Sequence, residues 1–255
     1  MSTTPTRQDL RRQGHGVRDA LGLPPPAPDL LPGFGDFLAE VAYGAIWDRP
    51  HLSKPDRMLC TLAVCSPYLR PQLAGLIDSA LEIGVAPLAL LEVFLQAGLY
   101  GGFVTTEAAV EVAREVFAAR GVPVPDAPPR EDDNAALDAR GQAIMAKLHG
   151  ARAGGGYAAP GNPITGQLYP AAIRYGYGEL WDRPGLDHRQ RMLVAIAAFT
   201  GLGLESQLRK FAQSALHIGL SQDEVIEAVI QTGPYSGFPR ALNGLAILTE
   251  VFPKD

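Results

Sequence analysis

Two four-residue words, Trp47-Asp48-Arg49-Pro50 and Trp181-Asp182-Arg183-Pro184, set a guanidinium beside an indole in each half of a 255-residue chain. A planar guanidinium suits a carboxylate, which it grips through parallel N–H bonds. Arg183 and Arg49 are therefore candidate clamps for an acidic substrate, with Trp181 as a neighbouring wall. The same words also read as helix ends, in which Trp packs, the charged pair meets nearby backbone and Pro prevents continuation. Tyr100 and Tyr235 are flanked by glycines at breaks between helical segments. Each either donates its phenol to an enolate or carbonyl or satisfies a buried backbone carbonyl and packs. Gln72 and Gln207 either orient a substrate carbonyl or make a structural contact, since an amide is no general base near neutral pH.

Glu205, two residues before Gln207, either supplies a carboxylate or compensates a helix dipole. His217 is a candidate contact to substrate, although its place opposite an apolar stripe and in a last helical turn also suits a surface or interface. His51, His149 and His188 fall in loops or linker ends without metal-ligand spacing. Cys60 and Cys65 lie on an apolar stretch without Cys-x-x-Cys and read as buried thiols. No metal site is expected.

The elements that position these residues occur twice. YGAIWDRPHLSKPDRMLCTLAVC (43–65) matches YGELWDRPGLDHRQRMLVAIAAF (177–199) at 11 of 23 positions. QLAGLIDSALEIG from Gln72 matches QLRKFAQSALHIG from Gln207 at 7 of 13, and QAGLYGGF from Gln96 matches QTGPYSGF from Gln231 at 5 of 8. GHGVRDALG from Gly14 loosely resembles GQAIMAKLHG from Gly141. Self-similarity at a nearly constant offset, 134 residues in the first block and 135 in the other two, marks a duplicated structural unit with one loop of different length. A linker is expected near 121–133, dividing the chain into units at 1–122 and 134–255.

Each unit reads as helical. Leu208, Phe211, Ala212, Ala215 and Leu216 recur at i, i+3, i+4, i+7 and i+8, as do Leu73, Leu76, Ile77, Ala80 and Leu81, which is the stripe of an amphipathic helix. Gly84 and Gly219 are expected to stop these helices. Ser221 and Glu224 form a capping box for the next helix, and Pro87 sits just inside the start of its counterpart. A last helix is expected over roughly 105–119 and 239–251. No alternating β pattern of useful length occurs, so the fold class is all-α.

The repeated frame resembles the carboxymuconolactone decarboxylase family, whose wider fold includes the AhpD-like alkylhydroperoxidases. The resemblance implies a tandem duplication of a small helical domain and a homo-oligomer, such as a trimer imitating a hexamer of single domains. It also implies decarboxylation without metal or organic cofactor. The peroxidase branch requires Cys-x-x-Cys where this chain has Leu204 and Gln207, or Leu69 and Gln72, so thiol peroxidase activity is not expected. The family's acid–His pair is replaced by Gln207 with Phe211 and by Gln72 with Leu76.

Composition narrows the remaining classes. An apolar fraction of 47% supplies a core, and a net charge of −5 without a Lys/Arg block disfavours nucleic acid as a partner. No apolar run reaches membrane-spanning length, and the N-terminal residues do not read as a secretory signal, so a cytoplasmic location is expected. The expectation is a cofactor-free lyase or isomerase for a small cyclic carboxylated or carbonyl compound, in aromatic catabolism or natural-product assembly. Arg183 would hold the acid, Tyr235 donate a proton and Gln207 orient a carbonyl. The alternative is a non-catalytic small-molecule binding or assembly protein.

Overall fold

Ser53 and Asp187 open the central helix of each half by accepting a backbone N–H with their side chains, Ser53 from Asp56 and Asp187 from Gln190. This is the ordinary way to satisfy a helix's unpaired first amides. Beyond the first turn each helix is apolar on nearly all sides, which drives it to the centre. In the computed structural model, which describes residues 5–23, 31–68, 72–126, 130–153 and 162–252, every residue from Met58 to Cys65 and from Met192 to Phe199 is buried. Among the described residues there is no strand.

The first half runs α1 (Arg7–Ala20), α2 (Phe34–Leu38) continuing into a π-helical segment (Ala39–Trp47), α3 (Lys54–Cys65), α4 (Leu73–Glu82), α5 (Pro87–Gly101) and α6 (Phe103–Arg120). The second repeats it as α7 (Asn134–His149), α8 (Tyr169–Ala171) with its π-helical segment (Ala172–Glu179), α9 (His188–Leu202), α10 (Glu205–His217) and α11 (Gln222–Gln231). A short α12 (Gly233–Ser236) and α13 (Phe238–Val251) complete it. The stripe helices are α4 and α10, which end before Gly84 and Gly219 as expected. The capping box of Ser221 and Glu224 and the early Pro87 occur where the sequence predicts them.

The halves do not keep separate cores. α3 packs on α9, and one continuous apolar cluster draws on both. On the outside of each half, the first helix crosses the π-helical segment at close range. A Cβ on Gly14 would stand 1.9 Å from the Ala39 carbonyl oxygen, and one on Gly141 2.3 Å from that of Ile173. Only glycine permits such an approach. This contact sets the register between the halves, so that Arg18 of α1 corresponds to Met145 of α7.

Candidate active site

The seam between the halves is built from polar side chains that the repeat supplies twice. Arg57 of α3, fully buried, donates to Glu227 of α11 at 2.9 Å and to Gln231 at 3.1 Å, while its Nη2 also reaches the carbonyl oxygens of Arg49 and Pro50. In the other half Arg191 donates to Glu92 of α5 at 2.9 Å, to Gln96 at 3.2 Å and to the carbonyl oxygens of Arg183 and Pro184. Buried charge is tolerated when it is paired, and each Glu receives two guanidinium groups, although the buried Nε of Arg57 and of Arg191 makes no hydrogen bond.

The second guanidinium in each case is one of the expected substrate clamps. Arg49 holds Glu227 at 2.7 Å and Arg183 holds Glu92 at 2.7 Å, each across the seam. Neither lines the cavity beside Tyr100 or the cavity beside Tyr235. The expectation that Arg49 and Arg183 grip a substrate acid is thus corrected: a buried carboxylate of the opposite half, fixed in place, occupies the guanidinium that a ligand would need. The guanidinium groups do not turn to neighbouring backbone either: their main partners come from the other repeat, and Arg183 also reaches the Glu179 carboxylate of its own half at 3.3 Å.

The tryptophans of the same words do reach a site. Trp47 Nε1 donates to Tyr235 Oη at 2.7 Å, and Trp181 stands with Tyr100 in the wall of the matching site. Each pair joins one repeat to the other. Tyr100 belongs to the last turn of α5 and Tyr235 to α12, so neither lies on the break itself. The break falls two residues later, at Gly102 and Gly237, with φ of 103° and 96°. Burial pushes the Tyr100 phenol up to about 12 and Tyr235 well above the usual 10. Both therefore stay protonated and act as neutral hydrogen-bond donors.

Two cavities of about 650 Å³ each open beside these pairs. Both are roofed across the seam. The cavity at Tyr235 is walled by Arg18, Tyr43, Cys65, Gln72 and Leu76 of the first half. The cavity at Tyr100 is walled by Tyr177, Trp181, Phe199, Gln207 and Phe211 of the second. The π-helical segments contribute Ala42 and Tyr43 to the first cavity and Gly176 and Tyr177 to the second, in keeping with the frequent use of such turns at functional sites.

The predicted residues divide accordingly. Trp181, Tyr100, Gln207 and Phe211 meet in one cavity, while Tyr235 and Gln72 meet in the other, so the expected set of Tyr235, Arg183 and Gln207 is not one constellation. Glu205 is exposed on the first turn of α10 and borders a shallow groove with Arg240 instead of either cavity. His217 is exposed and lies over Gly150. These two candidates are corrected for the same reason: they occupy the solvent side of the stripe helix. Cys60 is buried and its thiol is pushed up to about 12 by burial, whereas Cys65 forms part of a cavity wall.

Two residues escaped sequence reasoning. Arg18 stands in the wall of the Tyr235 cavity with its guanidinium 5.0 Å above the Tyr43 ring; only the glycine register between α1 and α7 could have flagged it. His149 is fully buried, not a loose linker end. Its Nδ1 lies 2.6 Å from Ser214 Oγ and its Nε2 2.7 Å from Tyr177 Oη. Ser214 donates to the Lys210 carbonyl oxygen at 3.0 Å, so its oxygen accepts from Nδ1–H and Nε2 accepts the Tyr177 hydroxyl. Burial holds this imidazole down at about 3. Among the described residues no cluster of His, Cys, Asp or Glu could hold a metal ion, and no helix is long and apolar enough to cross a membrane.

The family profile of carboxymuconolactone decarboxylases matches residues 32–115 and again 166–250, one match per half. The chain belongs to the carboxymuconolactone decarboxylase family. It is 35% identical over 79 residues to the 4-carboxymuconolactone decarboxylase of Acinetobacter baylyi, covering 31% of this chain and 59% of that one. It is 29% identical over 85 residues to the nitrosuccinic acid decarboxylase of Metarhizium robertsii, covering 33% and 59%. The matched stretch thus spans about three-fifths of the length of these relatives. A solved structure described as a gamma-carboxymuconolactone decarboxylase subunit of Burkholderia xenovorans shares the fold over 97% of this chain and 98% of that one, with a TM-score of 0.55 and 21% identity. Family membership accounts for the tandem helical architecture and supports decarboxylase-like chemistry at the level of the family.

Proposed function

We propose that this family member is a cofactor-free decarboxylase of a small, cyclic carboxylated compound, and that the cavity holding Arg18 and Tyr235 does the work. One observation carries the reading: a guanidinium and a protonated phenol stand in the wall of an otherwise mostly apolar hollow. Arg18 takes over the anchoring role first expected of Arg183. It holds one acidic group of the substrate, while Gln72 orients a carbonyl or similar acceptor. The carboxylate to be lost faces apolar side chains such as Leu38, Ala42 and Leu76, where its charge is poorly solvated and its conversion to neutral CO₂ is favoured.

The carbon–carboxylate bond breaks, CO₂ leaves, and the electron pair moves into the acceptor group. Tyr235 donates a hydrogen bond to the oxygen on which this charge collects. One proton from solvent then returns to carbon, which balances the reaction. No carboxylate or imidazole lines this cavity among the described residues. That favours decarboxylation over isomerisation, because loss of CO₂ starts without removal of a substrate proton, whereas an isomerase must first abstract one.

The test is CO₂ release from the cyclic carboxymuconolactone, with nitrosuccinate as an acyclic acid for contrast and Arg18→Met as the comparison. Release that falls at least tenfold in kcat/KM with the variant supports the proposal. Binding of these acids at Arg18 with no CO₂ released from either would instead support a binding protein, a reading favoured by the missing acid–His pair at Gln72 and Leu76.

A further inference from the structure

The two cavities are equal in volume and related by the repeat, yet their walls have diverged in chemistry. Position by position, Cys65 answers to Phe199 and Leu76 to Phe211. At the Tyr100 cavity this creates an unbroken series of rings, four from the second half and one from the first. Tyr177 stacks near-parallel on Trp181 (24°, 6.3 Å), Trp181 meets Phe211 at 6.0 Å, Phe211 meets Phe199 edge-on at 4.9 Å, and Phe199 meets Tyr100 at 4.4 Å. Seven of the fourteen described residues lining this cavity are aromatic, against three of fourteen in its twin.

Charge differs as well. Arg18 is a lining residue of the Tyr235 cavity, but among the described residues none that lines the Tyr100 cavity is charged, and the position that corresponds to Arg18 is the buried Met145. Where the first half has Arg18 over Tyr43, the second ties Tyr177 to the neutral His149 behind it. An apolar hollow with no cation penalises an anionic guest by its full desolvation, while flat uncharged π-systems gain ring contacts.

We infer that the Tyr100 cavity is a second binding site, selective for a planar, uncharged aromatic or aromatic-like molecule, and that one chain therefore accepts two different ligand classes. Gln207 and the Tyr100 phenol supply neutral polar contacts for a carbonyl or ether oxygen. This holds whether or not the Arg18 cavity proves catalytic, because it concerns binding alone.

The two tryptophans of the chain, Trp47 and Trp181, serve as separate reporters, one beside each cavity. Trp47→Phe leaves Trp181 as the reporter of the aromatic cavity; Trp181→Phe leaves Trp47 as the reporter of the other. The probes are 4-nitroanisole and 4-nitrobenzoate, flat quenchers of similar size that differ in charge near neutral pH. In Trp47→Phe, half-maximal quenching is expected at a concentration at least tenfold lower for 4-nitroanisole than for 4-nitrobenzoate. In Trp181→Phe the order reverses, and adding Arg18→Met abolishes that reversal. Quenching of Trp181 by the anion at equal or lower concentration, or no saturable response to 4-nitroanisole, would overturn the inference. Should either Trp variant fold poorly, equilibrium dialysis on the unmodified protein decides: the two probes load additively if the sites differ in ligand class, and displace one another if they do not. Loss of CO₂-releasing activity in every assay would leave this outcome untouched.

Discussion

Trp47 and Tyr235 stand 188 positions apart in sequence and share a 2.7 Å hydrogen bond from the indole N–H to the phenol oxygen. The bond occupies an acceptor site of the phenol oxygen and ties it to the other repeat, and hydrogen bonds in series strengthen one another. Trp47→Phe removes the donor and leaves a small void. We expect a loss of about 1–3 kcal/mol in urea-induced unfolding, with turnover in the Arg18 cavity falling through kcat while KM for an acid changes little. A KM effect without a kcat effect would place Trp47 among the substrate contacts instead.

The seam predicts its own fragility. Glu227 serves both Arg49 and Arg57, and the latter is fully buried. Glu227→Gln leaves a buried cation without its counter-charge, a change that costs about 3–5 kcal/mol in comparable settings. Pairing it with Arg57→Met should cost less than the two single changes added together. Denaturation midpoints for the four proteins of this cycle provide the check.

Arg18 is the cation that an acidic ligand would meet. Arg18→Met removes charge-assisted bonds worth roughly 1.5–3 kcal/mol, equivalent to about a 10- to 150-fold weaker Kd for a carboxylate. Arg18→Lys retains charge but not the planar fork, and should fall between the two. Calorimetric titration with a small dicarboxylate measures the series, and the affinity of an uncharged ester should stay within a few-fold throughout.

His149 gives a pH signature. Its imidazole is held at about 3 in the fold, below the ordinary 6.5, mainly by burial and then by nearby cations, Lys210 first. Between these values the unfolded chain binds a proton that the folded one does not, so stability rises with pH across that window and is complete above about 6.5. As pH falls from 7 to 4 the contribution lost is of the order of 3 kcal/mol. His149→Gln, which keeps polar atoms without the titration, should flatten the pH dependence of stability over this range relative to the unmodified protein.

The phenols act at the other end of the scale. Tyr100 and Tyr235 are raised above the usual 10 by burial, so the unfolded chain releases these protons first. Stability is unaffected below about pH 10 and declines as pH climbs past it. Ultraviolet titration of the native protein should show these two tyrosines ionising only as the fold is lost. A native-state phenolate signal from either near pH 10 would contradict the burial.

The architecture was legible in sequence because it rests on local patterns written twice: the stripes of α4 and α10, the Ser221 cap, the Pro87 start. The site was less so. Arg49, Tyr100 and Gln207 were visible as repeated residues, but repetition does not say which copy faces which. Arg183 next to an indole looks like a ligand clamp until Glu92, 91 positions away in sequence, is seen to hold it. Arg18 sits outside the strongly matching blocks, and His149 ends a helix whose companion Ser214 no spacing rule connects to it. In each case the deciding partner lies on another segment: Glu92 reaches Arg183 across the seam between the halves, Ser214 meets His149 where α10 packs on α7, and Arg18 meets Tyr43 where α1 crosses the π-helical segment.

Since each hollow borrows its roof from the opposite copy, a self-assembling single unit would be obliged to carry identical sites everywhere. Covalent fusion lifts that obligation. The two binding chemistries come in a fixed one-to-one stoichiometry, encoded by one gene and safe from statistical mixing of subunits, but a mutation at the junction is felt on both sides.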